Sequence, residues 1–414
     1  MLIFSAVLDV ESARASVLTH AEKISISTLR TEIVPLTHSF QRVLAETIAL
    51  DRDQPPFDRA MRDGYAVRTQ DLVEFPVELR CVGEVKAGAW PIPPIAQGET
   101  MQIMTGAPVP AGVDAVVMIE HTERISEDAV KILRLVQAGE NISPRGSERS
   151  QGETLARSGT LISGFELAVL AALGRSSLKV YRRPVVSVVA TGDELIEVDQ
   201  QPLPGQIRNT NSYSLLAQIL NSGALPEVLG VSRDTEPSLR SLIEQGLKHD
   251  VLILSGGVSA GKYDLVEKVL LQLGARIHFE SVKIRPGKPA VFATMGEKFI
   301  YGLPGNPVST FVTFEVFVKP LLKYLQGLQP GTLPIVYGTL LKDVADRSGR
   351  TSFLPAIVTS CHERLEILPV EWKGSADIFN LTGVNGFVVV PQDTTYLESG
   401  RQVEALLFSE LQFG

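Results

Sequence analysis

Thr191-Gly192-Asp193-Glu194 follows a run, Val185 to Ala190, that is apolar apart from Ser187. The glycine permits a tight turn, and two carboxylates stand where a buried strand would end. Hard cations such as Mg²⁺ prefer carboxylate oxygens, so Glu194 is a candidate ligand. Asp193 would serve equally as the cap of a following helix. A richer stretch, Ser255-Gly256-Gly257-Val258-Ser259-Ala260-Gly261-Lys262-Tyr263-Asp264, comes directly after Val251-Leu252-Ile253-Leu254. Its three glycines and two serines can aim backbone N–H groups at a phosphate. Gly256 to Lys262 fits Gly-x-x-x-x-Gly-Lys, but Tyr263 stands where a P-loop needs Ser or Thr to hold Mg²⁺. A P-loop NTPase is therefore rejected, and Asp264 is the candidate metal ligand of this stretch.

Lys283, Arg285 and Lys288 surround Pro286-Gly287. Three cations so close together in an acidic chain make either an anion pocket or a solvated charged strand. Leu303-Pro304-Gly305-Asn306-Pro307-Val308-Ser309 is a tight turn leading into an apolar helix, with Asn306 placed to cap it and Pro307 to open it. Further toward the N-terminus, Pro55-Pro56-Phe57-Asp58, Met61-Arg62-Asp63-Gly64-Tyr65-Ala66 and Met104-Thr105-Gly106-Ala107-Pro108-Val109-Pro110 set polar groups in glycine- and proline-rich turns. The six histidines are scattered, with no His-x-x-x-His and no Ser/Asp set suggesting a hydrolase triad. Cys361 and His362 are neighbours; in a strand their side chains would point to opposite faces, so no catalytic Cys–His pair is expected.

The elements that must position these residues follow from the hydrophobic pattern. Val185–Ala190 and Val251–Leu254 read as buried strands, with helices around 213–220, 239–248 and 265–273 between and after them. Buried strands alternating with helices predict a doubly wound parallel α/β domain over 184–328. Ligands of such sheets bind beyond the carboxyl ends of the strands, where both glycine turns fall. Residues 51–149 are rich in Gly, Pro and Val with short alternating runs, predicting a β-rich inserted domain. Residues 1–50 and 150–183 read mainly as helix, with Ser39 as the cap of a helix through Val43-Leu44, and would form a helical hub. From 329 to 414, short strands separated by turns predict a C-terminal β-barrel-like domain.

Composition removes several function classes. With 414 residues, 44% apolar and 21% charged, the chain can bury several cores. A net charge of −8 opposes broad nucleic-acid binding. No run approaches the roughly 18 apolar residues of a membrane helix, and Met1-Leu2-Ile3-Phe4 lacks the flanks of a secretory signal. Two cysteines support neither a zinc cluster nor a disulfide framework. A cytoplasmic protein without nucleic-acid or membrane partners is expected.

The ordered set of turns resembles one family. Pro-Pro-Phe-Asp (55–58), Arg-Asp-Gly-Tyr-Ala (62–66), Met-Thr-Gly-Ala-Pro-Val-Pro (104–110), Ala-Thr-Gly-Asp-Glu-Leu (190–195), Asn-Thr-Asn-Ser-Tyr (209–213), Ser-Gly-Gly-Val-Ser-Ala-Gly-x-Tyr-Asp (255–264), Arg-Pro-Gly-Lys-Pro (285–289) and Gly-Leu-Pro-Gly-Asn-Pro-Val-Ser (302–309) closely resemble the molybdopterin molybdenumtransferases, or MoeA proteins, related to the gephyrin E domain. The resemblance spans nearly the whole chain. It implies an α/β domain of the molybdopterin-binding type and insertion of molybdate into adenylylated molybdopterin, with release of AMP and a requirement for Mg²⁺. It also implies a homodimer whose sites draw on both protomers, and a possible supply of substrate by the preceding adenylyltransferase.

Residue by residue, the resemblance makes Glu194 and Asp264 the metal or phosphate-side carboxylates. Asp63 and Thr105 would come from the partner's β-rich insertion. Lys283 and Lys288 would line the anion pocket, with Arg285 where many relatives have Lys. Arg350 and Ser375 would come from the C-terminal domain. Ser255, Gly256, Gly257, Ser259, Pro304 and Asn306 belong to the substrate-binding turns. The chain departs from the pattern at Asn141-Ile142-Ser143-Pro144-Arg145-Gly146-Ser147-Glu148, where Arg145 is kept but Ser143 replaces an Arg and Glu148 an Asp. Lys262 and Asp377 also depart from it. Two competing functions are a molybdopterin adenylyltransferase, whose resemblance would cover only 184–325, and a non-catalytic scaffold of the gephyrin kind.

Overall fold

Side chains of Val251 and Ile253 enter one core, and those of Leu252 and Leu254 enter another. This period-two division is what a strand covered on both faces requires. The computed structural model describes residues 7–23, 29–257, 265–329, 333–362, 364–409 and 411–413. It divides into two compact units: Met1–Ala45 with Ser158–Leu167 and Ser176–Gly414, and Glu46–Arg157 with Ala168–Arg175.

In the first unit, six strands form one sheet in the order Leu225–Ser232, Val185–Thr191, Val251–Ser255, Lys298–Leu303, Pro289–Met295, Arg276–Ser281. The first four run parallel. The last two junctions are antiparallel, a departure from an all-parallel sheet. Met295 pairs with Lys298 across Gly296-Glu297, and so short a turn joins only antiparallel strands. Helices Val10–Glu22, Asn211–Asn221 and Pro307–Thr313 contribute to the core on one face, and Glu236–Gly246 and Leu265–Gln272 to the core on the other. The chain leaves Val185–Thr191 to form the strand on one side of it and then returns to form Val251–Ser255 on the other. The carboxyl ends of these two strands therefore flank the topological switch point, where α/β sheets bind ligands.

The C-terminal strands close on themselves. Thr351–Cys361 pairs with Arg364–Pro369, then Ile335–Leu340, Gln402–Leu407 and Gly386–Val390 follow, and the last pairs again with Thr351–Cys361. Leu340, Val358, Ile367, Val388 and Ala405 fill this barrel.

The helical reading of the N-terminal segment is corrected. Among the described residues of 1–50 the α-helix is confined to Val10–Glu22, capped by Asp9, which accepts from Ser12 N at 2.7 Å, and a short 3₁₀ turn spans Leu36–His38. The β-branched stretch Thr31–Pro35 is instead a strand paired with Ser177–Tyr181. Ser39 starts no helix through Val43-Leu44: it ends the 3₁₀ turn Leu36–His38, its hydroxyl donating back to Leu36 O (2.7 Å), and Val43 and Leu44 make isolated bridges. In 150–183 the helix is confined to Gly164–Ala172, with strands at Thr154–Ala156 and Ser177–Tyr181.

The second unit carries a six-stranded sheet in the order Ala115–Met118, Gly64–Val67, Glu99–Ile103, Val77–Val85, Ala129–Ile132, Thr122–Arg124. At Gly64 a Cβ would lie 1.9 Å from Val117 O, so no other residue fits without moving that strand.

Candidate active site

A cleft of about 830 Å³ opens at the switch point. Its floor is made by Thr191, Gly192 and Glu194 after one strand and by Ser255, Gly256 and Gly257 after the next. Gly192, Gly256 and Gly257 have φ of +149°, +94° and +66°, values that side-chain-bearing residues rarely adopt. Contact explains them further: a Cβ on Gly256 would come within 2.5 Å of Thr191 O, and one on Gly257 within 2.6 Å of Thr191 Oγ1. That hydroxyl is buried and has no hydrogen-bond partner among the described residues.

Asn211 holds the floor together. Its Nδ2 donates to Ser255 Oγ (2.9 Å), Gly305 O (2.8 Å) and, at 3.3 Å, Thr310 Oγ1. One buried amide thus ties the end of a strand, the turn at Gly305 and the helix which that turn opens. Asn209 stabilises the start of the same helix, accepting from Ser212 N (3.2 Å) and donating to Ser212 Oγ (2.9 Å). The opposite wall is Gly305, Asn306 and Pro307 at the start of the next helix; Pro304 stands just behind it, outside the lining, its carbonyl accepting from Thr310 Oγ1. Asn306 does not cap with its side chain; its Nδ2 donates to Ser375 Oγ (2.8 Å), and Val308 N donates to Ser375 O (3.0 Å). Ser375 therefore joins Asn306, and Ala376, Ile378 and Phe379 of its loop line the cleft.

The acidic side of the cleft contains a residue the sequence reading passed over. Asp234 follows the Leu225–Ser232 strand and lines the cleft with Glu194. Burial raises its pKa, and the neighbouring charges of Asp193 and Glu194 raise it further, against a bond from the Asp193 backbone N–H that favours the charged carboxylate. Its signal in the sequence is a carboxylate just beyond a strand end, two residues after Ser232, as Glu194 is just beyond Thr191. Concentrated carboxylate charge suits a hard cation. Among the described residues no three acidic, His or Cys side chains form a metal cage. Mg²⁺ commonly keeps water and substrate phosphate with only one or two protein carboxylates, so Glu194 and Asp234 fit such a role. Ser259 and Asp264 lie outside the described residues.

The basic cluster is placed elsewhere in this unit. Lys283, Arg285, Lys288 and Arg350 are not among the residues lining the cleft. Lys283 and Lys288 are exposed. Arg285 is engaged, its Nη1 lying 2.5 Å from Asp346 Oδ1. Burial would raise the Asp346 pKa, but bonds from Ser352, Ser348 and Arg285 hold it below the usual range. Arg350 reaches Ile284 O at 3.4 Å. Arg285 and Arg350 thus meet at the join between Ile284–Arg285 and Thr351–Cys361.

In the second unit, Asp63 and Thr105 are brought together: Asp63 Oδ1 accepts from Thr105 N (2.6 Å) and Thr105 Oγ1 (2.8 Å). These bonds, the backbone one first, lower the Asp63 pKa. Arg145 is held by carboxylates, with Nε on Asp53 (2.8 Å) and its N–H on Asp58 (2.7 Å). Glu148 reaches Arg59 at 2.8 Å, and Ser143 Oγ meets Ser147 Oγ at 3.1 Å. Asp377 is a loop tie, accepting from Lys373 N (2.9 Å) and Asn380 Nδ2 (2.8 Å). Cys361 and His362 are not splayed apart: His362 has φ +53° at the hairpin turn, and Cys361 Sγ lies 3.3 Å from His362 Nδ1.

A mixed, mainly parallel α/β domain with a glycine-floored cleft at its switch point, carried with a closed β-barrel and a separate β-rich unit, defines a multidomain enzyme of the molybdopterin-binding type. The comparisons agree along the chain. Residues 8–174 match the MoeA N-terminal region (domain I and II), 187–324 a probable molybdopterin binding domain, and 337–408 the MoeA C-terminal region (domain IV). The sequence is 37% identical over 389 residues to a molybdopterin molybdenumtransferase of Bacillus subtilis, covering 92% of this chain and 90% of that one. It is 37% identical over 388 residues to one from a Nostoc species, covering 91% and 88%. A solved MoeA protein from Pyrococcus horikoshii superposes with a TM-score of 0.82 at 32% identity, covering 98% of this chain and 100% of that one. The chain belongs to the molybdopterin molybdenumtransferase family, transferases of molybdenum cofactor biosynthesis.

Proposed function

We propose that this protein inserts molybdate into adenylylated molybdopterin and releases AMP. The observation that carries this reading is the cleft at the switch point, with its glycine turns, its two helix starts and its carboxylates. A pyrophosphate-linked substrate needs backbone donors and helix N-termini for its phosphates. Gly256 and Gly257 leave room for close backbone approach, and Asn211 fixes the distance between the Ser255 and Gly305 loops. Mg²⁺, held by Glu194 with Asp234 or Asp264, would supply charge neutralisation at the phosphates.

The dianion molybdate would be drawn by Lys283 and Lys288, with Arg285 and Arg350 shaping that basic surface. We further propose a cytoplasmic homodimer in which Asp63 and Thr105 of one chain complete the site of the other, and in which an adenylyltransferase supplies the substrate. No helix of the described residues is long and apolar enough to cross a membrane. The test is AMP release from purified adenylylated molybdopterin, with and without molybdate and Mg²⁺. Release dependent on both supports the reading; ATP-dependent adenylylation of molybdopterin in its place would assign the protein to the preceding step.

A further inference from the structure

Phe379 is 88% exposed, yet it lines the cleft. Other aromatic rings nearby are used differently. Phe311, Phe387 and Phe408 pack on one another with centroids 4.8–6.0 Å apart. The Phe379 ring makes no ring contact among the described residues. Leaving such a ring in water forfeits the gain from its burial, unless a ligand covers it.

Its position is held from both sides. Upstream, Ser375 is fastened by Asn306 Nδ2 and Val308 N. Between them, Asp377 accepts from Lys373 N and Asn380 Nδ2, closing the turn around Phe379. The residue itself begins a short 3₁₀ turn, Phe379–Leu381. A loop stitched this way fixes the backbone that carries the ring, so binding has only the side chain left to order. The cleft is also divided by chemistry. Its floor carries glycine turns and carboxylates, while Phe379 and Ile378 stand with Leu195, Ile207 and Pro202 as its apolar lining. A ligand filling both parts has a charged segment and a flat apolar one.

We propose that Phe379 is a specificity-determining residue that stacks on a planar nitrogen heterocycle of the substrate. This rests on the function proposed above, whose substrate has two such rings, a pterin and an adenine. Both offer the same π-face. Removing an aromatic partner from a stacked base costs about 1–3 kcal/mol, roughly 5- to 150-fold in affinity.

Phe379→Ala should raise KM for adenylylated molybdopterin by that factor and leave kcat and the molybdate dependence within about twofold. Phe379→Tyr and Phe379→Trp should restore KM, because they restore a ring and not merely bulk. Phe379→Leu, which restores only bulk, should not. An unchanged KM in Phe379→Ala, or rescue by Leu as good as by Tyr, overturns the proposal. A binding readout separates it from the function on which it rests. In Phe379→Trp, tryptophan fluorescence should be quenched by AMP or by molybdopterin beyond the response of the parent protein. Quenching by AMP assigns the ring to adenine, and quenching by molybdopterin alone assigns it to pterin. Quenching by neither overturns the stacking even if turnover is normal. If the parent protein releases no AMP from the substrate, the proposed function fails while quenching still reports on stacking.

Discussion

Asn211→Leu tests whether one amide organises the cleft. The substitution keeps the approximate volume and removes the donor to Ser255 Oγ, Gly305 O and Thr310 Oγ1. Thr310 keeps its own donor bonds to Pro304 O and Asn306 O, so its loss is small. The two shorter bonds each contribute about 0.5–1.5 kcal/mol net, and an acceptor left buried adds about 1–3 kcal/mol. Apolar contacts from Leu offset part of this, leaving a destabilisation of about 2–4 kcal/mol. At about 2–4 °C per kcal/mol for a domain of this size, that lowers Tm by roughly 4–16 °C. Function should suffer in a particular way. With the Ser255 and Gly305 loops no longer tied, KM for the adenylylated substrate should rise at temperatures where the fold is intact. Calorimetry and steady-state AMP release measure the two effects on one preparation. A Tm within 2 °C of the parent together with an unchanged KM would refute the reasoning, because it would mean that the loops hold themselves.

Glu194→Gln and Asp234→Asn should fold with the parent's circular dichroism and Tm but lose most Mg²⁺-dependent AMP release; normal Mg²⁺ titrations in both would remove the carboxylates from the mechanism. Mixing inactive Asp63→Asn with inactive Glu194→Gln should restore up to about a quarter of parental activity after subunit exchange, since half the dimers are mixed and each has one intact site. Exchange verified by mass, without recovered activity, argues for sites within single chains. His278 lies against His20, with ring centroids 3.7 Å apart and planes tilted by 38°, and bonds Thr294 Oγ1 at 2.8 Å. Burial first, then the charges of His20, Arg276 and Lys23, lowers its pKa from 6.5 to about 4. The folded state then binds fewer protons than the unfolded one between these values, so stability is full above pH 6.5 and falls as pH drops toward 4. After allowance for solvent screening the loss between pH 7 and 5 is about 1 kcal/mol. His278→Gln should flatten that part of the Tm–pH curve, and an unchanged slope would count against the assignment.

Local patterns were enough to read the parallel strands, the glycine turns at their ends and the C-terminal β segments. Each depends on contacts between near neighbours in the chain: Val251 to Leu254 are apolar throughout, and Ser255-Gly256-Gly257 directly follows. Such patterns place Glu194, Gly256 and Asn306 at one end of one sheet. What they do not contain is the pairing of distant segments. Thr31–Pro35 is a strand because Ser177–Tyr181, nearly 150 residues later, supplies its hydrogen bonds; alone, its neighbourhood reads as helix. Asp234 joins Glu194 because the Leu225–Ser232 strand lies beside Val185–Thr191, which only the sheet order decides. Arg285, read as part of an anion pocket, is held by Asp346. Cys361 touches His362 because a hairpin turn overrides strand alternation. The residue types capable of the chemistry were legible in the sequence, since side-chain chemistry is local. Which of them share a cleft was settled by long-range packing, because burial of the two sheet faces fixes the strand order and no short stretch of sequence encodes that.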